Sequence, residues 1–218
     1  MREPQQDRSR ATRRRLLEAC VECLAEVGWS ATTVAVVAER AGVSRGAAQH
    51  HFPTREELIT AALEHMFDER IELTRAELTT LRGATPTETV VARLVEHFTG
   101  TLFKAALQVW TAAAADESLR LRVVPLEQKF GRVAYRMAIE ALGVQDDDEV
   151  GHRLVQATLD LARGLGLADV LTDDSVRRAE VVRAWAGHLD VVLGAGSGAA
   201  AGTRGDKANA KAKAPVKT

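Results

Sequence analysis

The sequence predicts an all-α protein, and three observations carry that reading. Apolar residues recur at helical spacing along every long segment, and no stretch alternates convincingly at period two. Alanine, leucine, arginine and glutamate, all good helix formers, are abundant. Glycines, prolines and capping side chains punctuate the segments where helices start and stop. At 218 residues the chain is long enough for a sizeable core.

A basic, flexible arm is expected over residues 1–9, followed by a first helix from residue 10 to 27. Leu16, Leu17, Cys20, Leu24 and Val27 make its apolar stripe, Gly28 stops it, and Trp29 anchors the turn. Thr32 or Thr33 caps a second helix whose Val34, Val37 and Ala38 face inward. It ends at Ala41-Gly42, where glycine can take the left-handed conformation of a sharp turn. Ser44 caps a short third helix over 45–51. Phe52-Pro53 closes that helix, because proline disfavours helical geometry in the residue before it. Thr54-Arg55-Glu56-Glu57 is a capping box. It opens a fourth helix to about Leu81, through Leu58, Ala62, Met66 and Leu73. Gly83 to Pro86 break the chain, and further helices are expected near 87–114, 116–122, 125–142, 147–168 and 174–194. The acidic runs Asp146-Asp147-Asp148-Glu149 and Asp173-Asp174 sit where helices begin and suit the helix dipole better than a metal. Residues 195–218 are low in complexity, with little to bury, and read as a disordered tail rich in Ala, Gly and Lys.

The net charge of −1 hides an asymmetry. Residues 1–15 and residues 195–218 each carry +4, so the body between them carries −9. Basic ends on an acidic body fit either a polyanionic partner at the ends or plain solvation. No apolar run approaches the ~20 residues that cross a bilayer. The N-terminus has no apolar segment after its charges, so it is not a secretory signal, and a cytoplasmic protein is expected. Cys20 and Cys23 form a C-x-x-C inside a helical pattern, with no second ligand pair and no strand beside it. They read as small buried residues, not as a redox or zinc site. No cofactor and no metal are expected.

The second helix, the glycine turn and the short third helix make a helix-turn-helix. In such a unit the second of the two helices lies in the DNA major groove and reads base edges with its N-terminal residues. Ala47 and Ala48 are small enough to let the backbone approach, and Gly46 smaller still. Arg45 can bond guanine through O6 and N7, Gln49 can do the same with adenine, and His50 can also reach the DNA. Thr33, Ser44 and the amides opening the second and fourth helices suit phosphate oxygens. Arg55, a cation where the dipole favours acids, would be explained by a phosphate. His51 beside Phe52 is read as mainly structural, with a phosphate contact as its alternative.

Residues 10–63 resemble the DNA-binding domain of the TetR/AcrR family of transcriptional regulators. The matching marks are Gly28 before an aromatic, Thr33, Ala41-Gly42-Val43-Ser44, Gly46, His51-Phe52 and Arg55-Glu56. The resemblance implies an all-helical homodimer, usually a repressor, with a small-molecule pocket in the C-terminal domain and dimerisation through its last two long helices. The family usually has tyrosine where Gln49 stands and often lysine where Arg55 stands, which shifts the expected base preference toward adenine and keeps the phosphate contact. The domain reading is therefore DNA-binding over 10–53 and regulatory and dimerising over 54–194.

Val150, Leu154, Leu161 and Leu165, then Val182, Trp185, Leu189 and Val192, give the last two helices apolar stripes. These would either pair with a second subunit in a four-helix interface or face the protein's own core. A two-headed DNA reader needs a dimer, which favours the first. An effector pocket is expected among the fourth helix and those at 87–114, 125–142 and 147–168. Its candidate lining is Met66, Phe98, Phe103, Trp110, Gln128, Arg132, Tyr135 and Gln156. Arg132 in the cavity would ask for an anionic ligand; on the surface it would leave a neutral apolar one. The signatures G-x-S-x-G and H-E-x-x-H, the Walker motif and the dinucleotide glycine pattern are not in the sequence, so an enzyme is not expected. A helical protein–protein module remains the alternative. It would have no use for Arg45 and Gln49 on an alanine-flattened helix.

Overall fold

A computed structural model describes residues 3–80 and 86–210, with side chains described over 6–76 and 86–194. Nine helices are described, and no strand occurs among these residues. They are α1 (Glu3–Ala31), α2 (Val34–Arg40), α3 (Arg45–His51), α4 (Arg55–Thr80), α5 (Thr87–Glu96), α6 (Thr101–Ala115), α7 (Glu117–Leu142), α8 (Glu149–Ala168) and α9 (Ser175–Ala210). Residues 195–210 of the expected disordered tail continue α9, which corrects that expectation, while residues 211–218 and the side chains beyond Gly194 lie outside the described residues.

The first four helices form as their local signals dictate. Gly28, at φ +79° and ψ 178°, breaks α1 in a region of backbone space that is essentially glycine's own. The Thr33 hydroxyl accepts the Val36 amide at 3.2 Å and caps α2. Ser44 caps α3 through the Ala47 amide, and Thr54 caps α4 through the Glu57 amide, each at 3.2 Å. The segment expected to be a separate arm forms the first turns of α1 from Glu3 onward.

The middle of the chain departs from expectation. The helix anticipated over 87–114 is two helices, because the chain turns at Gly100, whose φ is +82°. The two halves have different duties: α5 packs on α8 and α9, whereas α6 packs on α1. Conversely, Pro125 does not divide 116–122 from 125–142. It lies inside α7, on an exposed side beside exposed Leu121 and Val124. The carbonyl left without a proline N–H can be hydrated there, so the helix continues. Leu73, expected inward, is exposed. The acidic residues at the helix starts do act as caps. Asp148 accepts the Gly151 amide at 2.9 Å and Asp173 that of Ser175 at 3.0 Å.

One core joins the two halves of the molecule. Leu16, Leu17, Cys20 and Leu24 of α1 pack with Val37 and Ala38 of α2, with Ala48 and Phe52 at α3, and with Leu58 and Ile59 of α4. Ala105, Ala106 and Val109 of α6 belong to the same cluster. Small residues on that face of α6 let its axis approach α1 closely. Separate clusters tie α5 to α8 and α9, and α5 to α7 and α8.

Candidate nucleic-acid interface and effector cavity

The recognition surface is built from the core outward. Ala48 is fully buried and Phe52 nearly so, which fixes the inner face of α3. Ala48 is thus small because α3 packs against α1 and α2, not because it meets DNA, and this corrects the expectation for that residue. The opposite face presents Arg45, Gly46, Gln49 and His50 to solvent, with Ala47 half-buried between the faces. A Cβ added at Gly46 would meet nothing within 4 Å. Thr33 and Ser44 are exposed, their hydroxyls already committed as caps.

Arg55 behaves differently from expectation. Its Nη2 donates to the Trp29 carbonyl, and its guanidinium lies over the Trp29 ring, 4.2 Å from the centroid. A cation in the first turn of α4 is therefore explained within the protein, because it holds the turn after the Gly28 kink. Arg15 was legible only as part of a basic run. Its Nη2 donates to the carbonyls of Ala41 and Gly42, and so ties α1 to the turn between α2 and α3. Arg40 pairs with Glu22 at 3.5 Å and Glu26 at 2.5 Å, which secures α2 to α1 from the other side. Around His51, burial, then His50 and Arg13, hold the imidazole below its usual range. Its ring lies 6.4 Å from that of Phe52. Cys20 and Cys23 are buried and unbridged; burial pushes both thiols up, Cys20 to about 12.

A cavity open to solvent lies among α4, α5, α6, α7 and α8, in the region the sequence indicates. Of the expected lining residues, Phe98, Phe103 and Trp110 are there. The other five are elsewhere. Met66 packs against the core shared with α1. Gln128 and Arg132 are exposed on α7. Tyr135 shares a 2.7 Å hydrogen bond with Nδ1 of His152. Gln156 donates to Asp160 at 3.3 Å. A helical face is correctly grouped by spacing, but the rotation of α7 against its neighbours turns Glu127, Phe130, Ala134 and Met137 inward instead.

Phe67 and Phe130 stack at 4.2 Å between centroids, and Phe103 meets both Phe98 and Trp110 edge-on at 5.7 and 5.8 Å. His97 at the wall is pushed down to about 4 by burial and then by Arg70, so it is neutral at ordinary pH. Glu127 is held above its usual range by burial, with Arg163 acting the other way.

The stripes expected to meet a second subunit divide in two. Leu165, Val182 and Leu189 are buried in the molecule's own core with α5, and Leu154, Leu161 and Trp185 pack half-buried against it, which corrects that part of the expectation. A neighbouring face remains uncovered. Val150, Ala157 and Gly164 on α8 and Leu171 just beyond it are exposed, alternating with Leu154, Leu161 and Ala168, of which Leu154 and Leu161 are half-buried against the molecule's own core. Val176, Ala184, Gly187 and Val191 continue an exposed apolar surface on α9.

Comparison with known proteins agrees with this architecture. Residues 16–62 match the family model described as bacterial regulatory proteins, tetR family. The HTH-type transcriptional regulator CymR of Pseudomonas putida is 35% identical over 123 residues, which cover 55% of this chain and 59% of that regulator. The chain matches less than two thirds of the length of the first relatives compared. BetI of Pseudomonas aeruginosa, also an HTH-type transcriptional regulator, is 26% identical over 192 residues, covering 85% of this chain and 95% of BetI. Among solved structures, a transcriptional regulator from Rhodococcus sp. Rha1 superposes with a TM-score of 0.63 at 25% identity, covering 84% of this chain and 96% of that one. A TetR-family regulator from Mesorhizobium loti shares the fold at a TM-score of 0.66 and 13% identity, covering 85% and 98%.

Proposed function

We infer, for a chain that belongs to the TetR family of bacterial regulatory proteins, a homodimeric repressor that binds a palindromic operator and is released by a small-molecule effector. The observation that carries the reading is the outer face of α3. Arg45, Gly46, Gln49 and His50 are exposed on a helix held rigidly by Ala48 and Phe52 beneath. Arg45 at the N-terminal end of α3 and Gln49 one turn further along carry the guanidinium and amide that bond base edges bidentately. Thr33 and Ser44 stand at helix starts whose amides suit phosphate oxygens. Arg55, engaged with Trp29, acts by positioning this unit.

The uncovered apolar face of α8 and α9 supports pairing with a second copy, which would set two recognition helices about 34 Å apart on successive major grooves. Release follows as a population shift. An effector that fits the cavity only in a differently spread dimer draws the protein away from DNA. Two helices can carry that signal. The chain of α4 runs from Arg55 beside the kink to Phe67 and Arg70 at the cavity. On α6, Gln108 accepts the Trp29 amide at 3.3 Å while Phe103 and Trp110 line the cavity.

The test is binding to short duplexes tiled across the region upstream of the protein's own gene, with Arg45→Ala beside the unmodified protein. One palindromic tile should bind tightly, and the variant should lose about 1–3 kcal/mol on it. Weak binding to every tile, equal in the variant, would sink sequence-specific reading and leave the charged ends as the source of affinity.

A further inference from the structure

We propose that the cavity takes an apolar, ring-bearing amine whose cationic head seats against the Glu127 carboxylate. The inference rests on reading this cavity as the effector site and adds the chemistry of its occupant. Five aromatic rings, those of Phe67, Phe98, Phe103, Trp110 and Phe130, wall the space. They form two connected groups, the Phe67–Phe130 stack and the edge-on series through Phe103. Such walls favour a planar or ring-bearing body, and their faces attract a cation more strongly once water has left.

The charged groups of the wall decide the sign of the head. Arg163 is in a 3.1 Å ion pair with Asp160, and its guanidinium already lies 5.4 Å from the centre of the Phe98 ring. Arg70 donates to the Glu96 carbonyl at 3.3 Å. Glu127 differs from both: among the described residues it makes no hydrogen bond and no ion pair. Glu127 is half-buried in a wall that is otherwise mostly apolar, and an ammonium group supplies the opposite charge and the hydrogens that its carboxylate can accept. An anion drawn to Arg163 would meet the same carboxylate, because Arg163 and Glu127 are within electrostatic reach of one another. His97, neutral at ordinary pH, adds no competing positive charge.

The experiment is calorimetric titration of the full-length protein with three probes that share one body: phenylpropylamine, phenylpropanol and phenylpropionate. The amine is expected to bind roughly tenfold or more tightly than the alcohol, with the acid weakest. Glu127→Gln should bring the amine down to the level of the alcohol. Circular dichroism checks that this variant is folded. Glu127→Asp, which keeps the charge, should keep the order of preference if the amide variant is not folded. Preference for the acid, equal binding of all three, no binding at millimolar concentration, or an amine preference that survives Glu127→Gln would each overturn the proposal. Operator binding by the unmodified protein is measured separately. A failed titration with intact operator binding therefore refutes the ligand class and not the DNA reading.

Discussion

Gly46 is the residue whose cost is hardest to explain by folding. It stands in the first turn of α3, exposed, with room for a Cβ. An exposed helical glycine destabilises relative to alanine, and alanine there would restrict the unfolded chain. Gly46→Ala should therefore stabilise the protein by about 0.5 kcal/mol in urea titrations. The same methyl group would stand between α3 and the groove, so operator affinity should fall by about tenfold. Unchanged affinity would mean that the backbone does not come close to DNA at this position. His97 makes a prediction of another kind. Its folded pKa is depressed from 6.5 to about 4, so the unfolded chain takes up its proton first as pH falls. Its contribution to stability is complete above 6.5 and is lost progressively as pH drops toward 4. Unfolding free energies should fall by about 2 kcal/mol more in the unmodified protein than in His97→Gln between about pH 7 and about pH 5. Parallel curves would show that the imidazole is solvated.

At the scale of elements, the kink in α1 is the junction on which both halves converge. Gly28 takes its positive φ there, Arg55 holds the Trp29 carbonyl, and Gln108 of α6 accepts the Trp29 amide. A Cβ at Gly28 would lie 3.1 Å from Oε1 of Gln108. Gly28→Ala should cost about 2 kcal/mol from backbone strain alone, whereas Gln108→Ala should cost about 0.5–1 kcal/mol for one hydrogen bond. Denaturant midpoints compare them, and a glycine variant no worse than the glutamine one would mean that the kink is not locked. The elements around this junction were legible because their signals are local: Gly28, Thr33, Gly42, Ser44 and Thr54 act on the next three or four residues. The middle of the chain was misread for the same reason. Pro125 carries a strong local signal, but the exposure of its side of α7 lets water take the freed carbonyl and lessens the penalty. Gly100 carries a weak one, but the separate destinations of α5 and α6 enforce the turn. Arg15 and Gln108 bond to residues 26 or more positions away, and nothing in sequence spacing marks such contacts. Three of eight expected cavity residues line the cavity because spacing groups a helical face but does not say where that face points.

For the whole molecule, the question is what covers the outer face of α8 and α9. Leu171, within the turn that joins the two helices, is 90% exposed, and Val176, in the first turn of α9, is 76% exposed. An apolar stripe at steps of four and three, half of it exposed, is the pattern by which helices pack into bundles. The small residues Ala157 and Gly164 at its centre would let a second copy approach closely. The monomer's own core does not use Ala157 or Gly164, since Val155, Leu159, Ala162 and Leu165, with Leu154 and Leu161 at the margin, supply it from α8. A substitution at the centre of the stripe therefore separates assembly from folding. Ala157→Arg should leave the helical content and thermal midpoint of the subunit nearly unchanged, as exposed sites usually do. It should shift sedimentation at micromolar concentration from dimer to monomer, because a buried unpaired charge costs several kcal/mol. Operator affinity should fall with it, since one half-site then binds without the second and the gain from linked binding is lost. A variant that still sediments as a dimer and still binds the operator would show that another surface joins the subunits. A monomer with undiminished affinity would show that each recognition helix reads DNA alone.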